Sequence, residues 1–203
     1  MLSTVLPESQ TPKTIVLHST SSADWLEAVF ADFDTFLLDH AANERKASGV
    51  ALNLAAHYPD KHELVAAMID LAIEELSHYR EVFKLIRERN IPPVPDRKDP
   101  YVNRLRKLVR DGSQKYFCDR LLIAGIIEAR GLERFTQIAN ALPNGRLRTF
   151  YEGIYRSEAK HANLFLLFAY QYCADENVEN RLEELLTTEA QILADLPIRS
   201  ALH

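Results

Sequence analysis

Cysteine is nearly absent from this chain of 203 residues. Cys118 and Cys173 are the only two, and their separation matches no metal-binding or redox spacing. Both are expected to be reduced thiols acting as small hydrophobes within helices. Long apolar runs are absent as well. No stretch approaches the roughly 20 residues needed to cross a bilayer, and Met1 to Ser22 lacks the basic start and apolar segment of an export leader. A cytoplasmic protein with no membrane association is therefore expected. Flavin, nicotinamide and iron–sulfur motifs are also missing, so redox chemistry here would draw its electrons from a separate protein. With 47% hydrophobic residues, the length suits one domain with a substantial core.

The net charge of -5 conceals an uneven distribution. Between Arg80 and Arg120 there are 12 Lys or Arg against 6 Asp or Glu, whereas the remainder has 12 basic and 23 acidic residues. A basic zone on an acidic molecule suits a locally bound polyanion, because phosphate contacts follow local potential. On charge alone, a solvated helix face explains it equally well.

Residues 1–21 are rich in Ser, Thr and Pro and read as an extended arm. A first long helix is expected from Ser22, where Ser21, Ser22 and Asp24 offer capping oxygens, with a stripe through Leu26, Phe30, Phe33, Leu37, Ala41, Glu44, Ser48 and Ala51. After Tyr58-Pro59-Asp60, a second helix spans about 61–90 and carries Leu64, Met68, Leu71, Glu75 and His78 on one face. Ile91-Pro-Pro-Val-Pro95 cannot be helical and serves as a rigid connector. A short basic helix is expected over 100–110, then long helices over 113–142 and 146–173, and a last amphipathic segment over 178–196 packed outside the bundle. The third long helix carries Phe117, Leu121, Ala124, Glu128, Leu132 and Phe135 on its stripe, and the fourth carries Ile154, Glu158, His161, Phe165 and Phe168.

Polar residues interrupt these apolar stripes in a repeated order. Glu44 precedes Glu75-Leu-Ser-His78 by 31 residues, and Glu128 precedes Glu158-Ala-Lys-His161 by 30. Residues three apart on a helix share a face, so each Glu-x-x-His pair can reach one metal or two adjacent ones. Four ionised carboxylates in one apolar interior are costly unless paired or coordinated, and two divalent cations would neutralise them. Carboxylate with imidazole suits iron or manganese. The pattern matches the ligand set of an all-α, ferritin-like four-helix bundle, here with a crossover connection and additional short helices, and an internal duplication is its simplest account. A residue range of 22–174 then forms the bundle, and 175–203 a C-terminal helix and tail. His40 is expected to support the ligands or sit as a polar core residue. His18, His57, His62 and His203 read as loop, terminal or surface residues, Tyr79, Tyr151 and Tyr155 as core aromatics, and Glu74 and Glu152 as facing away from the metals.

The ligands alone leave several activities open: iron oxidation and storage, peroxide disproportionation with manganese, and oxygen activation. A metal-free helical module binding tRNA through the basic zone is a further alternative. The flanking sequence narrows the choice. Leu37-Leu-Asp-His-Ala-Ala-Asn-Glu44-Arg-Lys-Ala, Glu74-Glu-Leu-Ser-His-Tyr-Arg-Glu-Val82, Arg89-Asn-Ile-Pro92, Cys118 to Phe135 with its Ile-Glu-Ala-Arg-x-x-Glu-Arg-Phe stretch, and Arg156-Ser-Glu-Ala-Lys-His161 together resemble the MiaE family. That resemblance implies an O2-dependent di-iron monooxygenase hydroxylating the isopentenyl group of 2-methylthio-N6-isopentenyladenosine at position 37 of tRNA. It implies two Fe ions held by Glu44, Glu75, His78, Glu128, Glu158 and His161, with Glu75 and Glu158 as bridges and an external reductase as electron source. With tRNA as substrate, Arg104, Lys107 and Arg110, spaced to share a helix face, become candidate phosphate contacts together with Arg97, Lys98 and Lys115.

Overall fold

The computed structural model describes residues 14–174 and 176–203. The part of the expected N-terminal arm before residue 14 lies outside the described residues. Seven helices follow one another without a strand among the described residues: α1 (Ala23–Ala31), α2 (Phe33–His57), α3 (His62–Glu88), α4 (Pro100–Arg106), α5 (Ser113–Ala141), α6 (Arg146–Tyr172) and α7 (Val178–Asp195). Short turns join α2 to α3 and α5 to α6, so each pair forms a helical hairpin. The 89–112 connection, which contains α4, carries the chain from one hairpin to the other. This is the ferritin-like four-helix architecture.

The expected first long helix is two helices. Asp32 leaves helical geometry at φ -140° and ψ 66°, and its side chain then accepts a hydrogen bond from Thr35 N to start α2. The interruption resets the helical phase. Trp25 and Val29 turn inward, whereas Phe30, expected on the buried stripe, is 39% exposed. α4 is also shorter than expected. It stops at Arg106 with Lys107 as its cap, so Arg110 does not share a helix face with Arg104.

Two apolar layers fill the bundle and leave a polar layer between them. Ala51, Leu54, Leu64, Met68, Leu121, Phe165 and their neighbours form one layer. Trp25, Phe36, Phe135, Ile138, Tyr151 and Ile154 form the other, extended by Leu37, Ala41, Val82 and Ile86. In each of the four long helices, the ligand-type residues sit in sequence between the two. The approach of α5 to α6 is close enough that a Cβ on Gly125 would lie 2.8 Å from Ile15 Cδ1 and 3.3 Å from the Ala162 carbonyl oxygen.

α7 packs on α4 and α5, and a buried ionic cluster fastens it. Arg130 Nη2 donates to both carboxylate oxygens of Glu189, at 2.8 and 3.1 Å, and Tyr101 donates to Glu189 Oε1 at 2.8 Å. The C-terminal tail is held as well. Trp25 Nε1 donates to the Ala201 carbonyl at 3.0 Å, Arg134 Nη1 to the Leu202 carbonyl at 2.6 Å, and Leu202 N to Asp39 Oδ2 at 2.7 Å. Arg130 and Glu189 are both fully buried, and removing Glu189 leaves the buried guanidinium with Glu133 as its one remaining carboxylate among the described residues and Tyr101 without its acceptor. Glu189→Ala should therefore lower unfolding free energy by about 3–5 kcal/mol in urea titration; a loss under about 1 kcal/mol would show that the pair is dispensable.

Candidate metal centre

All six residues of the repeated pattern converge. Glu44 comes from α2, Glu75 and His78 from α3, Glu128 from α5, and Glu158 and His161 from α6. They form two overlapping groups: Glu44, Glu75, His78 and Glu158, and Glu75, Glu128, Glu158 and His161. In each group one donor atom per residue lies within 4.8 Å of all the others, and Glu75 and Glu158 belong to both. His78 Nδ1 stands 3.5 Å from Glu44, 3.7 Å from Glu75 and 3.7 Å from Glu158. His161 Nδ1 stands 2.9 Å from Glu75, 3.4 Å from Glu158 and 3.9 Å from Glu128.

Buried Glu75 Oε1, His78 Nδ1 and both ring nitrogens of His161 have no aligned hydrogen bond among the described residues. Orphaned donor atoms of this kind facing one another fit a pair of metal ions, and the oxygen-rich donor set with two imidazoles fits iron or manganese.

The electrostatics of the cluster show how far it depends on cations. Burial lifts Glu75 to about 8, and the neighbouring Glu158 and Glu44 carboxylates add to the lift. Glu128 is driven well above the ordinary carboxylate range by burial and by Glu158 and Glu75. Burial would depress His78, yet the Glu44 and Glu75 carboxylates more than offset it and hold the ring at about 10. His161 is similarly pushed up to about 12 against its burial, by Glu158 and Glu75. For Glu44, burial acts upward but the hydrogen bond with His40 and the nearby His78 ring prevail, and its carboxyl falls below the usual range.

A surrounding shell orients these groups. His40 is fully buried, its Nε2 lies 2.6 Å from Glu44 Oε1, and its Nδ1 lies 3.3 Å from the Tyr151 hydroxyl. Tyr151 thus does more than fill the core. Glu74, expected to face away, instead places Oε2 3.2 Å from His161 Nε2, with its other oxygen accepting from Ser157. The contact is an ion-pair distance without an aligned hydrogen bond, and a carboxylate so placed behind a ring would favour Nδ1 as the nitrogen that faces a metal. Glu152 does point elsewhere, to Arg148 at 3.0 Å. Glu74 escaped the sequence reading because its partners come from α6, 83 residues away in the case of Ser157.

A cavity of about 110 Å³ opens beside the cluster, lined by Glu44, Glu75, Glu128, Glu158 and by apolar Val50, Val102, Ile127, Phe135 and Leu202. His203, expected as a loop, terminal or surface residue, is terminal, yet its side chain is only 5% exposed and forms part of this wall. Its ring stacks on Tyr101 at 5.2 Å, and its Nδ1 lies 3.3 Å from Asp99 Oδ2. Asp99 is drawn down to about 2, its burial outweighed by His203.

The basic candidates divide. Arg97, Lys98, Lys107 and Lys115 are exposed. Arg104 is 44% exposed and lies 3.6 Å from Asp195. Arg110 is engaged: it donates to both oxygens of buried Asp119 at 2.8 and 2.9 Å and lies 3.1 Å from Glu176. Cys118 and Cys173 are buried free thiols. No helix among the described residues is long and apolar enough to cross a membrane.

Comparison with known proteins adds a family. The family model described as tRNA-(MS[2]IO[6]A)-hydroxylase (MiaE) matches residues 8–203. A Pseudomonas putida protein named tRNA 2-(methylsulfanyl)-N(6)-isopentenyladenosine(37) hydroxylase is 35% identical over 169 residues, covering 83% of this chain and 82% of that protein. A Salmonella typhimurium protein of the same name is 34% identical over 135 residues, covering 66% of this chain and 49% of that protein. Among solved structures, a Synechococcus protein described as having aldehyde deformylating oxygenase activity superposes with a TM-score of 0.85 at 34% identity, over 91% of this chain and 92% of its own.

Two outcomes follow from the shell and the charges. Glu74→Gln should weaken metal binding by about 10–100-fold while the helices persist, as read by metal titration and circular dichroism; unchanged affinity would show that His161 needs no such support. Ligation requires ionised carboxylates and neutral rings, whereas at neutral pH the metal-free cluster holds protons on Glu75, His78 and His161. Loading with Fe(II) should release protons, and affinity should rise about tenfold per pH unit for each proton displaced, with the slope falling by one above about pH 8 as Glu75 ionises unaided. Calorimetry in buffers of different ionisation enthalpy counts those protons, and a pH-independent affinity would refute the assignment.

Proposed function

Because the chain belongs to the tRNA-(MS[2]IO[6]A)-hydroxylase (MiaE) family, we propose that it is a di-iron monooxygenase hydroxylating the isopentenyl group of 2-methylthio-N6-isopentenyladenosine at position 37 of tRNA. The observation that carries this reading is the pair of overlapping donor groups sharing Glu75 and Glu158 at the wall of a small, largely apolar cavity. Glu44, Glu75, His78, Glu128, Glu158 and His161 would hold two irons, Glu75 and Glu158 being the residues common to both donor groups. Iron bound there would supply reductive activation of O2.

The chain's own residues do the rest. His40 and Glu74 keep Glu44 and His161 in register, and the two apolar layers keep water from the cluster. The cavity is small, about 110 Å³, and its apolar wall would receive the end of an aliphatic group while the adenine ring stays nearer the surface. In the balanced reaction, substrate C–H, O2, two electrons and two protons give C–OH and water, with the electrons from a separate reductase.

The tRNA would approach over the 97–107 segment, because Asp99 and Val102 within it line the cavity. Arg97, Lys98, Arg104 and Lys107 then lie where phosphates must pass, with Lys115 farther along the chain. Arg110 instead braces Asp119. A tRNA substrate also implies a cytoplasmic protein.

A second reading rests on the Synechococcus structure, which is about as similar in sequence as the hydroxylases are. The same donor set would serve an aldehyde substrate. An assay offering an aliphatic aldehyde in place of tRNA and looking for formate tests it.

Iron-loaded protein given a reductant, O2 and isopentenylated tRNA should add one oxygen mass to the modified adenosine. Glu128→Ala and His161→Ala should lose iron and activity together with helicity retained; full activity without bound iron would refute the reading. Reversing Arg97, Lys98 and Lys107 to Glu should weaken tRNA binding and flatten its salt dependence by about 0.7 for each loop phosphate no longer neutralised, and unaltered binding would move the tRNA to another surface.

A further inference from the structure

A second cavity, of about 340 Å³, lies where residues 19–22 and the start of α1 meet the end of α7 and the tail after it. Residues 19–22 and α5 bring polar groups to it, Ser19, Thr20, Ser21 and Arg134, and Arg199 of the tail adds a second guanidinium. Leu193, Leu196, Pro197 and Ile198 are its apolar wall. No metal ligand and no Asp or Glu is among the residues that line it. Apolar walls with a few convergent polar groups are the form of a small-molecule site.

Arg134 is the charge that the protein itself leaves uncompensated. It is 5% exposed. Its Nε donates to Ser21 Oγ at 2.8 Å and its Nη1 to the Leu202 carbonyl at 2.6 Å, while Nη2 forms no hydrogen bond among the described residues. The nearby carboxylates are engaged elsewhere. Glu133 accepts from Arg130, from Gln137 and from both Ser21 N and Oγ, and Glu189 accepts from Arg130 and Tyr101. The guanidinium carbon lies 4.5 Å from the centre of the Trp25 ring, but a ring face supplies no full negative charge. Burial and Arg130 accordingly draw Arg134 down to about 10. Ser19 Oγ is likewise buried without a hydrogen-bond partner among the described residues. Arg199 is tied to the His203 main-chain oxygen at 3.0 Å. A buried guanidinium without a carboxylate is costly, and an anion in the cavity relieves that cost.

We propose that this cavity binds a small organic monoanion, a carboxylate on a short aliphatic body, with Arg134 and the Ser19 hydroxyl donating to the carboxylate and Leu193, Leu196 and Pro197 against the body. One uncompensated cation is matched by one negative charge, so a carboxylate fits better than a phosphate dianion. An apolar wall beside the cation selects an anion that carries a hydrocarbon body over a bare inorganic one. The site depends neither on the iron nor on the tRNA reading. His203 lines this cavity and the one beside the cluster, so the occupant lies against a residue that walls both.

The test uses the iron-loaded full chain and hexanoate as probe, at constant ionic strength. Trp25, the single tryptophan of the chain, lines the cavity and reports on it. Hexanoate should change Trp25 fluorescence saturably and raise the unfolding temperature. Hexanamide, acetate and inorganic phosphate should each bind at least about tenfold more weakly. Arg134→Gln removes the cation, and Ala190→Leu adds bulk to the cavity lining with the guanidinium in place. Each should raise the dissociation constant for hexanoate by about tenfold or more. Arg134 also braces the tail, so circular dichroism is read first, and if that variant does not fold the Ala190→Leu variant alone decides. Absence of a saturable response to hexanoate overturns the proposal. So does hexanamide binding as tightly, which would make the cavity merely apolar, or phosphate binding more tightly, which would make it a site for the inorganic ion. Wild-type hexanoate affinity in the folded variants would place the binding elsewhere and overturn it too.

Discussion

Four carboxylates buried in the middle of a helical bundle are the constraint on which the rest of this structure depends. Each unpaired carboxylate costs several kcal/mol in such a place, and the consequences are visible in the protons the cluster would hold without metal, with Glu75 raised to about 8 and His161 to about 12. Helices are the scaffold suited to that load. Their backbone groups are satisfied internally, so the cost is confined to side chains, and the apolar layers above and below fix where those side chains point. His40 with Tyr151, and Glu74 with Ser157, extend the polar network by one further layer before it meets apolar core or solvent.

A second ionic cluster builds the cavity. Arg130 and Glu189 tie α7 to α5, and Tyr101 joins them from α4. Tyr101 in turn stacks on His203, which walls the cavity together with Asp99 and Val102. The four long helices provide the donor atoms, but the short helix and the tail shape the space that a substrate would occupy. One fold can host different chemistries when what is laid over it differs. The likeness to both tRNA hydroxylases and a structure with aldehyde deformylating oxygenase activity is consistent with that division.

Glu75 and Glu158 come from α3 and α6 yet reach the wall of the cavity that α2, α4 and α5 line, so all four long helices meet there.

Much of this was legible from residue order alone. A period of three to four residues fixes which side chains share a helix face, so Glu44, Glu75, His78, Glu128, Glu158 and His161 announced themselves as polar interruptions of apolar stripes. Prolines and turn residues marked the helix ends for the same local reason. What residue order could not supply was any contact between residues far apart in the chain. Asp32 breaks the first helix and turns Phe30 outward, because Trp25 and Val29 pack better against the second layer and the tail. Glu74 serves His161 only because α6 approaches α3. Arg110 is drawn to Asp119 rather than left free, and His203 is buried because Trp25, Arg134 and Asp39 secure the residues before it. Periodicity is a property of one helix and can be read from its sequence, whereas the partner of a polar side chain depends on how helices are juxtaposed, and only the tertiary structure decides that.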